Sequence, residues 1–202
     1  MERIVTVAAG YGAGGSVVAP AVAAALAVPF LDRAVVGYEP VVPAGETATE
    51  EERTGGLWTR VLGALAQMPT DAGPPAPLSV GDDELLRRRA EARLQQFVDG
   101  GEGVILGWAG ALVVPDAFHV RLTGPPDARV RQGMRIEGTI GEAEARRRLE
   151  DTDRIRSLYW KRLYKRDFAD LGLYHLVVDS TAIDLDAVTE IVVAGARAYL
   201  AR

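Results

Sequence analysis

The chain has 202 residues, 48% of them hydrophobic and 25% charged, at a formal net charge of −5, which suits one domain around a single continuous core and excludes wholesale disorder or a fibrous repeat. Zero cysteines exclude disulfides, thiolate metal sites and cysteine nucleophiles, and two histidines, His119 and His175, are too few for a histidine-rich zinc centre. Residues 141–166 carry nine basic against five acidic residues, a local charge of +4 in an acidic chain, which argues against a nucleic-acid footprint across the whole surface; a membrane span is not expected either, because the apolar run Ser16–Phe30 is short and contains Pro20.

In chain order, Arg3–Ala8 is a β-rich run that ends in a cluster of glycines, Gly10, Gly12, Gly14 and Gly15. Ser16–Ala27 is alanine-rich and apolar nearly all round, the pattern of a helix lying against a sheet, with Pro20 tolerated in its first turns. Val28–Leu31 reads as a short strand with Asp32 and Arg33 at its carboxyl end. From Gly37 to about Val80 the composition shifts to Pro, Gly, Thr and Glu around one predicted helix, Leu57–Met68. Asp82–Val98 is a predicted amphipathic helix with an acidic start and a Gly100–Gly101 stop. Val104–Leu106 and Phe118–Leu122 follow as buried strands, each running into a turn. Glu142–Tyr164 is a long helical stretch dense in arginine, Tyr174–Asp179 a last strand, and Leu185–Leu200 a closing helix capped by Asp184. Strands alternating with helices predict an α/β fold with about five mainly parallel strands covered on both faces.

A strand, a glycine loop and a helix in succession present backbone N–H groups and a positive helix end to a phosphate. Against the phosphate-loop pattern G-x-x-x-x-G-K-[ST], residues 9–16 keep the second glycine as Gly14 and the hydroxyl as Ser16, but place Ala9 at the first glycine and Gly15 at the lysine. Gly10, Gly12 and Gly15 also satisfy G-x-G-x-x-G, with Asp32 near the position a dinucleotide domain requires for its ribose acid. The arginine-rich helix favours the first reading, since phosphoryl transfer needs cations around the moving group.

Three stretches then carry a family resemblance: VTVAAGYGAGGSVVAPAVAAALAVPFLDRAVV, FHVRLTGPPDARVRQGMRIEG, and EARRRLEDTDRIRSLYWKRLYKRDFADLGLYHLVVDST. Together they resemble the cytidylate-kinase-like branch of the nucleoside monophosphate kinases. The resemblance implies a three-layer fold with strand order 2-3-1-4-5, ATP with Mg²⁺ on the glycine loop, an insertion over residues 37–98 covering the acceptor nucleotide, and an arginine-rich lid over 141–166. It implies that Gly10, Tyr11, Gly12, Ala13, Gly14, Gly15 and Ser16 hold the ATP phosphates, with Ser16 also the metal ligand. Asp32 and Arg33 are placed at the acceptor, and Arg154 and Arg156 at the transferring phosphoryl group. The implied activity is phosphoryl transfer to CMP or dCMP, on nucleotide substrates without nucleic-acid or membrane partners, in the cytoplasm, and compatible with a homodimer. Family members commonly have S-R-x-Y-G-S-G-G at the loop and an arginine after the third-strand glycine; here those positions are Ala9 and Trp108. Two phosphate-side cations are thus absent, which keeps open a weakened nucleotide-binding or regulatory module, a kinase of another small metabolite, or the dinucleotide protein.

Plainer roles stand beside these. Arg146–Arg148 have Glu142, Glu144 and Glu150 at helical spacing, as on a solvated face. Arg154 and Arg156 are two apart and do not share a helix face. His119 and His175, within apolar runs, read as core histidines, and Asp179–Ser180–Thr181 as a strand end and turn.

Overall fold

The computed structural model describes residues 3–32, 80–107 and 109–201. Arg33, Trp108 and the predicted helix Leu57–Met68 lie outside the described residues. Five parallel strands, β1 (Arg3–Ala9), β2 (Phe30–Asp32), β3 (Glu102–Leu106), β4 (Phe118–Thr123) and β5 (Leu176–Asp179), form one sheet in the order β2-β3-β1-β4-β5. Helices α1 (Gly15–Leu26), α2 (Val80–Val98), α3 (Gly110–Val113), α4 (Pro126–Glu137), α5 (Glu142–Tyr159) and α6 (Leu185–Leu200) surround it.

Strand alternation sorts the core into two faces. Val5 and Val7 of β1, Val104 of β3, and Val120 and Leu122 of β4 meet Val18 and Val22 of α1 and Val188 and Val192 of α6. On the other face Ile4 and Ile105 meet Leu94 and Val98 of α2 and Ala109, Val114 and Ala117 around α3. Each Val or Leu removed from water in this way contributes roughly 1.5–3 kcal/mol before entropy is counted. The result is a three-layer α/β/α sandwich.

The sheet order decides against the dinucleotide reading. In that fold the second strand pairs with the first; here β3 lies between them, pairing Val5 with Val104 and Leu31 with Ile105.

Several boundaries differ from the expectation. β2 begins at Phe30, because Val28 N–H is still bonded to Ala23 O at the end of α1 and Pro29 has no N–H to offer, and Asp32 is its last residue, opposite Leu106. The long arginine-rich helix is α-helical only to Tyr159 and continues as a π-helical turn, Trp160–Tyr164, closed by Lys165 at φ 54°. Such turns re-aim the chain that follows. Asp184 occupies the cap position of α6 without a capping side-chain bond. Helices α3 and α4 were not expected from the sequence, and α4 is the longer. It starts on Pro126 after Pro125 and stops at Gly138 in the left-handed conformation.

His119 is buried in the core, its Nδ1 2.7 Å from Thr6 Oγ1 and its ring stacked on His175 at 5.1 Å. Burial, helped by His175, lowers its pKa to about 4. His175 departs from the expectation of a core residue: it is exposed just before the edge strand β5, where its Nδ1 accepts the His119 backbone N–H at 3.0 Å.

Candidate functional site

The glycine loop leaves the carboxyl end of β1, the central strand, and opens α1. Open parallel sheets bind ligands at this edge. Gly12 and Gly14 have φ of 69° and 74°, which only glycine adopts readily, and a Cβ at Gly12 would collide with the Arg129 backbone. Ala13 N–H donates to Gly10 O at 3.1 Å, closing a tight turn. Gly15 and Ser16 begin α1, so their N–H groups belong to the first helical turn, which has no intrahelical acceptors.

The loop is braced from two later parts of the chain. Ser180, fully buried after β5, places its Oγ 2.8 Å from Ala13 O and 3.1 Å from Thr123 O. Gln132 of α4 donates from Nε2 to Gly12 O at 3.0 Å, and the Tyr11 ring lies against Gly133. Burial, then the Glu137 carboxylate, raises the Tyr11 pKa, so the ring stays neutral.

Beside the loop is a cavity of about 210 Å³ between Gly10, β4 (Arg121, Thr123), α4 (Arg129), α5 (Asp153, Arg156, Ser157) and the segment Asp167–Ala169. Three guanidinium groups converge there. Arg129, 8% exposed, reaches over Gly10 and forms a two-pronged ion pair with Asp153, Nη1 at 3.2 Å and Nη2 at 2.5 Å. Arg156, 3% exposed, has Nη1 3.6 Å from Asp153 Oδ1 and lies over the Phe168 ring at 4.6 Å. Arg121 covers the same ring at 4.6 Å and donates to Phe168 O at 2.7 Å. Burial lowers the Arg156 pKa to about 10, with Asp153 opposing and Arg129 and Arg121 adding to the fall. Arg156 therefore remains charged at neutral pH, in a pocket where cations outnumber carboxylates.

Of the residues expected at the site, the structure brings Gly10 and Arg156 to the cavity, with the rest of residues 10–16 forming the loop. Arg154 is exposed on another side of α5 and does not line the cavity. Asp32 is exposed at the same sheet edge, two strands from the loop. Arg146, Arg147 and Arg148 pair with Asp127, Glu137, Glu142 and Glu144 on the outer face. Arg121, Arg129, Gln132, Asp153 as a clamp, and Ser180 were not picked out from sequence; α4's bounding prolines and Gly138 were the available signal for Arg129 and Gln132.

This donor set fits a polyphosphate: a loop with two positive-φ glycines, first-turn N–H groups, and buried guanidiniums aimed at Gly10. For a divalent cation the fit is thinner. Ser16 offers a hydroxyl, and no group of three or more His, Asp or Glu among the described residues could hold a metal. No helix among the described residues is long and apolar enough to cross a membrane.

A model of the Cytidylate kinase-like family matches residues 4–182, and the chain belongs to that family. Among solved structures, the chain is similar to an uncharacterized protein from Eubacterium ventriosum ATCC 27560 at a TM-score of 0.63 and 16% identity, over 96% of this chain and 98% of that one. It is also similar to a gluconokinase from Sinorhizobium meliloti 1021 at a TM-score of 0.52 and 16% identity, over 96% of this chain and 91% of that one. At such identities the likeness concerns the fold. No curated protein sequence matches the chain.

Proposed function

We propose that this member of the cytidylate kinase-like family transfers a phosphoryl group from ATP, with Mg²⁺, to a nucleoside monophosphate, with CMP or dCMP as the acceptor first to be tried. One observation carries the reading. A glycine loop that opens a helix at the carboxyl edge of a parallel sheet faces a cavity in which Arg121, Arg129 and Arg156 converge.

Residues 10–16 hold the donor phosphates, and the Ser16 hydroxyl is the metal ligand this chain offers. When bound, ATP supplies the phosphoryl group and Mg²⁺ offsets charge on its oxygens. Arg156 presents positive charge to the transferring group from a buried position, where electrostatic stabilisation is stronger than at the surface. Arg154, exposed on the same helix, takes the lesser share. Asp32, the last residue of β2, is assigned to the acceptor, together with its sequence neighbour Arg33. Little covalent work is asked of the protein in such a transfer, so no general base is required. The setting is the cytoplasm, with small nucleotides as partners; a homodimer is compatible with the reading.

An ADP-release assay with ATP and Mg²⁺ against a panel of nucleoside monophosphates and gluconate tests this. Release that depends on a nucleotide acceptor and collapses in Arg156→Ala supports it, and release with a sugar acid alone reassigns the acceptor. A second reading, nucleotide binding without transfer, is favoured by Ala9 and Gly15, which leave the loop without a cation of its own. Thermal stabilisation by ATP with no acceptor-dependent release would select it.

A further inference from the structure

We infer that Arg129 of α4 is the phosphate-binding cation of the glycine loop, reaching across the fold to the place that the phosphate-loop lysine fills from within the loop in other proteins. The inference rests on the proposed nucleotide site and names a residue in it.

The need comes from the sequence. The general pattern puts a lysine directly before the Ser/Thr, and this chain has Gly15 there, so its loop offers only backbone N–H groups and a helix end. A polyphosphate of several negative charges is held weakly by dipoles alone.

Geometry meets the need from the neighbouring helix. Nη1 of Arg129 approaches Gly10 so closely that a Cβ there would strike it, and Nη1 of Arg156 lies 3.4 Å from the same point. A side chain at Gly10, whose φ is not positive, would have to push that guanidinium aside. Arg129 is tied to the loop backbone itself: Nη1 is 3.4 Å from Tyr11 O, its neighbour Gln132 holds Gly12 O, and the Arg129 carbonyl packs against Gly12. The Arg129 Nε is buried and has no hydrogen-bond partner.

Asp153 completes the arrangement. Its carboxylate takes both prongs of Arg129 and approaches Arg156, lying where three cationic groups converge beside the loop. It aims the planar guanidinium, a positioning role, and leaves the cavity with more cations than anions: Arg121, Arg129 and Arg156 against Asp153 and Asp167. An incoming phosphate then meets a cation whose orientation is already fixed, at little ordering cost.

The test compares binding of ADP and adenosine by calorimetry, because only ADP carries the phosphates that Arg129 is argued to hold. The wild-type chain is expected to prefer ADP clearly. Arg129→Gln should weaken ADP by about tenfold to 100-fold, the range for lost hydrogen bonds to a charged group, and leave adenosine within about twofold. If the unpaired Asp153 unfolds that variant, Arg129→Gln with Asp153→Asn removes one charge of each sign, leaves the net charge of the pocket unchanged and gives the same readout, with the melting temperature confirming folding. Adding Ala9→Arg should recover part of the loss by returning a cation to the loop. Unchanged ADP affinity in a folded Arg129 variant overturns the inference while the nucleotide site stands. A wild-type chain that binds neither ADP nor ATP overturns the site and the inference together.

Discussion

Helix α5 carries arginines in two settings. In its first half Arg146 and Arg147 face outward, matched by Asp127, Glu142 and Glu144, while Arg148 is half-buried between Glu137 and Glu144. In its second half Arg156 is enclosed against Phe168 and shares Asp153 with Arg129. Residue type and helix are the same, yet Arg146 and Arg147 have both solvent and counter-charge, whereas Arg156 is buried beside a glycine loop. The number of arginines in a segment says little about a site; what distinguishes the second set is burial together with a shared, outnumbered carboxylate.

The sharpest way to break this contrast is to remove one arginine from each half. Arg156→Ala is expected to lower acceptor-dependent ADP release by about 100- to 1,000-fold, the usual loss for a preorganised donor at developing charge. Arg147→Ala measured beside it should stay within about twofold, as for a surface pair. Equal losses from both would erase the distinction.

A buried titratable group that lacks a counter-charge offers a second comparison. His119 stays neutral in the folded protein down to about pH 4, whereas the unfolded chain takes up the proton near 6.5. Between those values the unfolded state binds more protons, so stability is complete above pH 6.5 and falls as the pH drops toward 4. Across that window the loss is on the order of 3 kcal/mol. Urea unfolding at pH 7.5 and 4.5 should show the fall, and His119→Gln should flatten the part due to this group.

Smaller again is the clamp. Asp153→Ala leaves Arg129 and Arg156 without their shared acceptor and should cost about 1–3 kcal/mol, seen as a lower urea midpoint with unchanged slope. Because Asp153 is partly exposed, added salt should shrink the difference from wild type. The smallest effect is expected on the outer face. Arg146→Ala removes contacts to Asp127 and Glu142 that lie open to solvent, and its melting temperature should match wild type within error.

The alternating pattern of strands and helices was readable because β1, β3 and β4 are short apolar runs bounded by glycine or proline, and the order of the sheet followed from the resemblance. The site was readable as far as it is local: residues 10–16 declare a loop at a helix start. Arg129 was not, because α4 has few apolar residues and its Pro-Pro-Asp opening reads as a turn as readily as a helix start. Nor does spacing alone separate Arg154 from Arg156. Their two-residue offset shows that they diverge on α5, and only the packing of Phe168 and Asp153 shows which one turns inward. His175 misled for a related reason, since an apolar strand at the edge of a sheet has the same composition as one at its centre.

Ser180 has a consequence for the order of events during synthesis. The glycine loop is made within the first sixteen residues, yet the hydroxyl that holds Ala13 in place belongs to a residue 167 positions later. At roughly 5–20 residues per second, a ribosome needs on the order of ten seconds or more to supply it. Until β5 has added to the sheet beside β4, the nascent loop lacks this tether, so competence to hold a nucleotide should arrive late and abruptly, with the last strand.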